Sequence, residues 1–222
     1  MAWEQATLDR MVADVFGYNA IQLGLPQFDF LAQNRIPLRQ LAHDAGKVDV
    51  LCDLRQLPFA ANSIDLVVMA HSLEFHDDPH QILREVERVL IPDGEVVIAG
   101  FNPISIWGLR RRLPNCPQQF PWNGRYLSLA RLKDWLQLLG FEAEHSSFGC
   151  YAPPFRNERW LKRWHFLEAS GQRWWSFAGG VYVLRAVKRV HSMRLIMPNW
   201  KKNAAPRKAL SVLSKKETAR HE

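Results

Sequence analysis

Six ionisable side chains crowd one short stretch: His71, Glu74, His76, Asp77, Asp78 and His80. Histidine titrates near neutrality, so a loop of this kind has the chemistry of a general base acting on a hydroxyl or an amine. A metal site is a second reading, but ligands packed on a single loop define no coordination geometry. The plain reading is a polar loop in which Asp77 or Asp78 caps the helix that follows. Two more polar groups follow apolar runs in the same manner. They are Asp53-Leu54-Arg55 and Phe101-Asn102-Pro103. In an open parallel sheet ligands sit at the carboxyl ends of strands, so these three places are where chemistry is expected.

The elements that must position them can be read from periodicity. Leu8, Met11, Val12 and Val15 have helical spacing, and Gly17 stops the helix. Tyr18 to Leu23 predicts a first strand ending at Gly24-Leu25-Pro26. Phe28 to Leu31 predicts a second. Pro37 to Ala45 predicts a short helix closed by Gly46, and Val48 to Cys52 a third strand that ends at Asp53. Leu66 to Ala70 is an unbroken apolar run, the mark of a strand buried on both faces. Pro79 to Leu90 predicts a helix with Ile82, Leu83, Val86, Val89 and Leu90 on its apolar stripe. Pro92-Asp93-Gly94 reads as a turn into a fifth strand, Glu95 to Gly100. Residues 102–126 read as an inserted loop. Leu127 to Leu139 predicts a helix with Ser128 as N-cap and Gly140 at its end. Phe141 to Phe148 and Val181 to Val187 complete the strands. Alternating strands and helices imply a three-layer α/β sandwich on a mostly parallel sheet.

Composition narrows the classes. No apolar run approaches the length of a membrane span, and Glu4, Asp9 and Asp14 interrupt the first residues, so neither a span nor a leader is expected. Cys52, Cys116 and Cys150 are odd in number and lack the spacing of a zinc site. They suit a reducing compartment, and the expected location is cytoplasmic. Of 29 Lys and Arg and 22 Asp and Glu, residues from Arg185 onward hold 11 and 2, which leaves 18 against 20 for the rest. The basic surplus is therefore that of the carboxyl-terminal part. Residues 201–222 read as a basic disordered tail, with weak polyanion or RNA contact as its functional reading. Residues 151–178 read as an aromatic-rich lid. Within it, Trp160 and Trp164 stand one helical turn apart among Arg159, Lys162 and Arg163. A packed cover is the plain reading there, and contact with an anionic membrane surface the alternative. Residues 1–200 are taken as one domain.

Several of these pieces together carry a resemblance. Asp53 followed by Leu57-Pro58-Phe59, then Ser63-Ile64-Asp65-Leu66-Val67-Val68, then Leu83-Arg84-Glu85-Val86 with Arg88-Val89-Leu90, Pro92 and Gly94, resembles the type 11 domain of the class I S-adenosylmethionine (SAM) methyltransferases. With Gly100-Phe101-Asn102-Pro103 it resembles the YafS-like bacterial branch of that family. The resemblance implies a Rossmann-like, seven-stranded sheet with a reversed last hairpin, SAM as cofactor and an unidentified methyl acceptor. Carried over by position, Asp53 accepts from the adenine amino group and Leu54 lies against the ring. His71, Ser72 and Leu73 line the pocket. His71 is then the candidate base or orienter, with Asn102 at the crevice mouth.

The first strand departs from the family pattern. An acidic residue and GxGxG are expected, but Ala20-Ile21-Gln22-Leu23-Gly24-Leu25-Pro26 keeps only Gly24. Pro26 also removes a backbone donor. The interval from Gly24 to Asp53 is too short for a full set of elements, so helix A is expected to be shortened or lost. No acidic residue follows the expected second strand, and Asn34 is left as a neutral partner for a ribose hydroxyl. Two function readings follow: an active SAM-dependent methyltransferase with a degenerate cofactor loop, or a binding or regulatory protein that kept the fold. A nicotinamide-dependent oxidoreductase is disfavoured because no GxGxxG opens a helix.

Overall fold

A computed structural model describes residues 2–113, 119–151 and 176–190. All of them fall in a unit spanning Met1–His191. The aromatic stretch expected around Trp160, most of the expected lid and the basic tail lie outside the described residues.

Seven strands form one sheet. They are β1 (Asn19–Leu23), β2 (Leu38–His43), β3 (Val50–Leu51), β4 (Ile64–Ala70), β5 (Leu90–Phe101), β6 (Phe141–Gly149) and β7 (Val181–Lys188). Their order across the sheet is β3-β2-β1-β4-β5-β7-β6. The first five pair in parallel, and β7 runs antiparallel to both β5 and β6. Among the described residues four α-helices accompany them: α1 (Ala2–Val12), α2 (Pro79–Val89), α3 (Ile106–Arg112) and α4 (Leu129–Leu138). Among the described residues no helix is long and apolar enough to cross a membrane.

The sheet is covered on two faces. Ile82, Leu83, Val86 and Val89 of α2 and Leu132 and Leu136 of α4 pack with Val67, Met69, Val96, Ile98 and Leu184. Leu8 and Val12 of α1 pack on the other side with Leu66, Val68, Val97, Ala99 and Val183. Successive strand side chains alternate faces, so odd and even positions of β4 serve different layers. The helix termini follow their capping chemistry. Asp78 accepts from Gln81 N with Pro79 in the first turn, and Ser128 accepts from Arg131 N.

Two expected elements are corrected. Residues 28–31 form no strand, and residues 37–45 contain β2 in place of a helix. The spacing of Leu38, Leu41 and Ala42 fits a helix, but a run this short is ambiguous. Parallel pairing of Asn19 through Leu23 with Leu38 through Ala42 settles it as a strand. No helix occurs in residues 24–37, so helix A is lost. Phe30, Leu31 and Ile36 from this irregular segment cover the α1 face of the sheet instead. Pro92-Asp93-Gly94 lies within β5, where Ile64 pairs with Leu90 but Leu66 with Glu95. The expected turn residues are thus accommodated as an irregularity in the strand. Residues 102–126 include α3 and are not loop throughout.

Candidate functional site

β4 delivers His71 to its carboxyl end, where the backbone turns through a left-handed conformation, φ 53°. The imidazole does not open onto solvent. Its ring stacks on Phe101 at 3.8 Å between centroids. Nε2 lies 3.0 Å from Glu4 Oε1 and Nδ1 lies 3.5 Å from Glu74 Oε1, with all three side chains only 1–2% exposed. These are ion-pair contacts without the angles of straight hydrogen bonds. Burial is the largest influence on His71 and pushes its pKa down. The carboxylates of Glu4 and Glu74 together outweigh it and raise the pKa to about 9. His71 is therefore an imidazolium at neutral pH. An imidazole held between two buried carboxylates suits the orienting role better than that of a base. It acts as a positioning residue that ties α1 to the strand end. Glu74 is fixed in turn, since Phe101 N donates to its Oε1 at 2.6 Å.

The glycine loop is closed in a similar way. Gln22 stands two positions before Gly24, where the family pattern has its acidic residue. Its Nε2 donates to the carbonyl of Phe28 at 2.8 Å and of Gly24 at 3.2 Å, and lies 3.4 Å from that of Leu25. Its Oε1 accepts from Phe30 N at 2.9 Å. Only an amide can donate and accept in this manner; a carboxylate could not face those carbonyls. Gly24 has φ +90°, and a Cβ there would collide with the Ser72 hydroxyl. Ser72 Oγ donates to Leu23 O at 2.6 Å. Gly24 N donates to Ala42 O, and Phe28 N to Leu25 O. Two backbone donors of this loop, those of Gly24 and Phe28, are thus spent on internal carbonyls.

Asn34 and Asn102 are likewise engaged in holding the chain. Asn34 Nδ2 donates to the carbonyls of Val12 and Val15, and its Oδ1 accepts from Ile36 N. That side chain anchors the segment after α1. Asn102 Nδ2 donates to Phe177 O and Gly179 O at 2.8 and 2.9 Å. It latches the end of β5 to the approach of β7 and is buried. Leu54 and Leu73 are packed in the core.

Of the residues expected from sequence, Asp53 stands in an open cleft. The cleft, about 560 Å³, is lined by Asp44, Leu51, Cys52, Asp53, Arg55, Phe75, His76 and Asp77. It lies at the carboxyl ends of β2 and β3 beside the β4–α2 connection. Arg55 grips Asp53 bidentately, with Nη2 at 2.7 Å from Oδ2 and Nε at 3.0 Å from Oδ1. Those bonds hold the exposed carboxyl well below its usual range, at about 2. His76 Nδ1 lies 2.6 Å from Ser72 O. A carbonyl only accepts, so this nitrogen carries the proton and Nε2 is turned to Asp44, 3.7 Å away.

Asp44 was missed from sequence. It follows β2 directly, and so occupies the position after the second strand where the family resemblance places an acidic residue. Placing that strand at residues 28–31 hid it. The extended reading of Leu38 to His43, ending in a histidine and an aspartate before Gly46, was the available signal.

Comparison with known proteins agrees with this architecture. Residues 25–98 match the methyltransferase domain family of type 11. A SAM-dependent methyltransferase from Archaeoglobus fulgidus superposes with a TM-score of 0.60 at 18% identity, over 84% of this chain and 94% of that one. The fold is that of the class I methyltransferases. Within this methyltransferase fold the uncharacterized protein YafS of Escherichia coli K12 is 50% identical over 100 residues, 45% of this chain and 42% of that protein. The bifunctional biotin biosynthesis protein BioHC of Saccharophagus degradans is 27% identical over 143 residues, 59% of this chain and 26% of its own length. The chain thus spans less than half the length of these curated relatives.

Proposed function

We propose that this protein carries out SAM-dependent methyl transfer, holding the adenosine part of SAM in the cleft between Asp44 and Asp53. The observation that carries this reading is the pair of exposed carboxylates lining the cleft at the ends of β2 and β3, with Asp53 held in place by Arg55. Ribose hydroxyls and an adenine amine are hydrogen-bond donors, and carboxylates are the acceptors that suit them. Asp44 takes the ribose and Asp53 the adenine amine, with Phe75 as an apolar wall. SAM supplies an electrophilic methyl group. This chain supplies position: the imidazolium of His71 fixes α1 and the Glu74 loop behind the cleft.

A second reading has its own observation. The Gln22 amide binds the glycine loop to the protein's own carbonyls, which suits a fold-retaining binding protein that has given up the methionine end of SAM. Calorimetry of the full chain with SAM and with S-adenosylhomocysteine separates the two. Heat of binding with either, weakened in Asp44→Ala, is expected. Silence at millimolar ligand overturns the proposal and leaves the second reading.

A further inference from the structure

Between Asn102 and Lys133 the sequence contains no Asp or Glu, but it holds Arg110, Arg111, Arg112, Arg125, Arg131 and Lys133. α3 rises from this stretch immediately after β5. Its buried side is a glycine: a Cβ on Gly108 would collide with the Pro103 backbone, so the helix lies close against the chain that leads into it. The opposite side is open. Ile106, Leu109 and the following Leu113 are spaced three and four residues apart, which puts them on one helical face. They are 49%, 62% and 53% exposed, and Ile104 beside them is 70% exposed. Isolated exposed aliphatic residues need no explanation, but four on one face form a patch of the kind that marks an interaction site.

The surroundings of the patch show what it fits. Arg110 lies over the Trp122 ring at 5.9 Å and Arg111 over Tyr126 at 5.2 Å. Trp107 stacks on Trp122 at 5.7 Å. The aliphatic side chains are exposed, and by helical spacing Arg110 and Arg112 fall on either side of their face. An apolar face flanked by guanidinium groups and amphipathic rings suits an acyl boundary beneath a headgroup layer. A nucleic acid would use the arginines but gain nothing from exposed Ile and Leu. The charge is of one sign, so the complementary surface is anionic.

We infer that α3 and its flanks dock on an anionic phospholipid surface, with Ile104, Ile106, Leu109 and Leu113 entering the acyl boundary and Arg110 and Arg112 meeting lipid phosphates. The inference stands independently of SAM binding.

The test is co-sedimentation of the full chain with vesicles of phosphatidylcholine alone and of phosphatidylcholine mixed with phosphatidylglycerol. Binding to the mixed vesicles only is expected. The double variant Ile106→Ser/Leu109→Ser and the double variant Arg110→Ser/Arg112→Ser should each weaken it by about tenfold or more. Ile104→Ser/Leu113→Ser repeats the apolar test on residues outside the helix, in case the first pair disturbs folding; melting temperature is read for all. Absence of wild-type binding overturns the inference. So does binding that survives all three variants, because the docking surface then lies elsewhere. Loss in the arginine variant alone also overturns it, by showing adsorption without entry of the apolar face. Retention of RNA at moderate salt without vesicle binding would assign the patch to nucleic acid and overturn it too.

Discussion

His71 Nε2 lies 3.0 Å from Glu4 Oε1, and both side chains are almost wholly out of water. This contact joins the first helix to the end of the central strand, so it couples stability to pH. The folded-state pKa of His71, about 9, is raised above its ordinary 6.5. Stability from this group is therefore fully present below about pH 6.5 and is lost as pH rises through about 9, by on the order of 3 kcal/mol. Thermal melting across that range should show a falling melting temperature. In Glu4→Gln the protein should be destabilised at neutral pH by about 3 kcal/mol, since one partner of a buried pair is removed. Its melting temperature should also fall less steeply over the same range. A flat wild-type profile would mean that His71 is neutral.

The inward-facing amide of Gln22 makes a second outcome specific. Gln22→Glu restores the residue type expected by the family pattern, yet it turns a carboxylate toward the Gly24 and Phe28 carbonyls and away from any donor but Phe30 N. A loss of about 2–3 kcal/mol is expected by chemical denaturation, the scale for a buried polar group left without its partner. A stable variant with raised SAM affinity would show that the loop opens for ligand.

Asp44 and Asp53 are exposed, so their removal should leave folding intact. Asp44→Ala and Asp53→Ala are each expected to weaken SAM affinity by about tenfold, with unchanged melting temperature. Wild-type affinity retained in both variants, measured by calorimetry, would move the adenosine site out of this cleft.

Val68 has no exposed surface and sits in the middle of β4, between β1 and β5. Val68→Asp should abolish soluble folded protein, because it buries an unpaired charge in the central sheet. Soluble protein with the wild-type melting temperature would contradict the strand assignment.

How legible the fold was depended on the strength of local signals. β4, α2, α4 and β7 carry long apolar runs or clear stripes, and Asp78 and Ser128 announce their helices as caps. β2 was not legible because Ala42 is its only fully buried residue, and its identity comes from pairing with β1. That one misreading also concealed Asp44. The candidate site was legible mainly in its location at the strand ends. Residue types did not reveal whether a polar group opens into the cleft or is used up inside. His71, Asn34 and Asn102 are all polar and all spent on internal partners. Lys188 is a further instance. It is a buried lysine whose Nζ donates to the carbonyls of Glu87 and Leu90 and pairs with the Glu87 carboxylate at 2.9 Å. Nothing in its local sequence separates it from an ordinary solvated lysine.

The place of β7 between β5 and β6 has a consequence for synthesis. β5 ends at Phe101, but the strand that covers its outer edge, from Val181 to Lys188, is made roughly 80 residues later. At ordinary rates of translation that interval lasts on the order of ten seconds. During it the nascent chain carries a long strand with its hydrogen-bonding edge unpaired, the form most prone to pairing with another chain. The order of strands therefore makes the growing polypeptide, more than the finished protein, the species that calls for protection by chaperones.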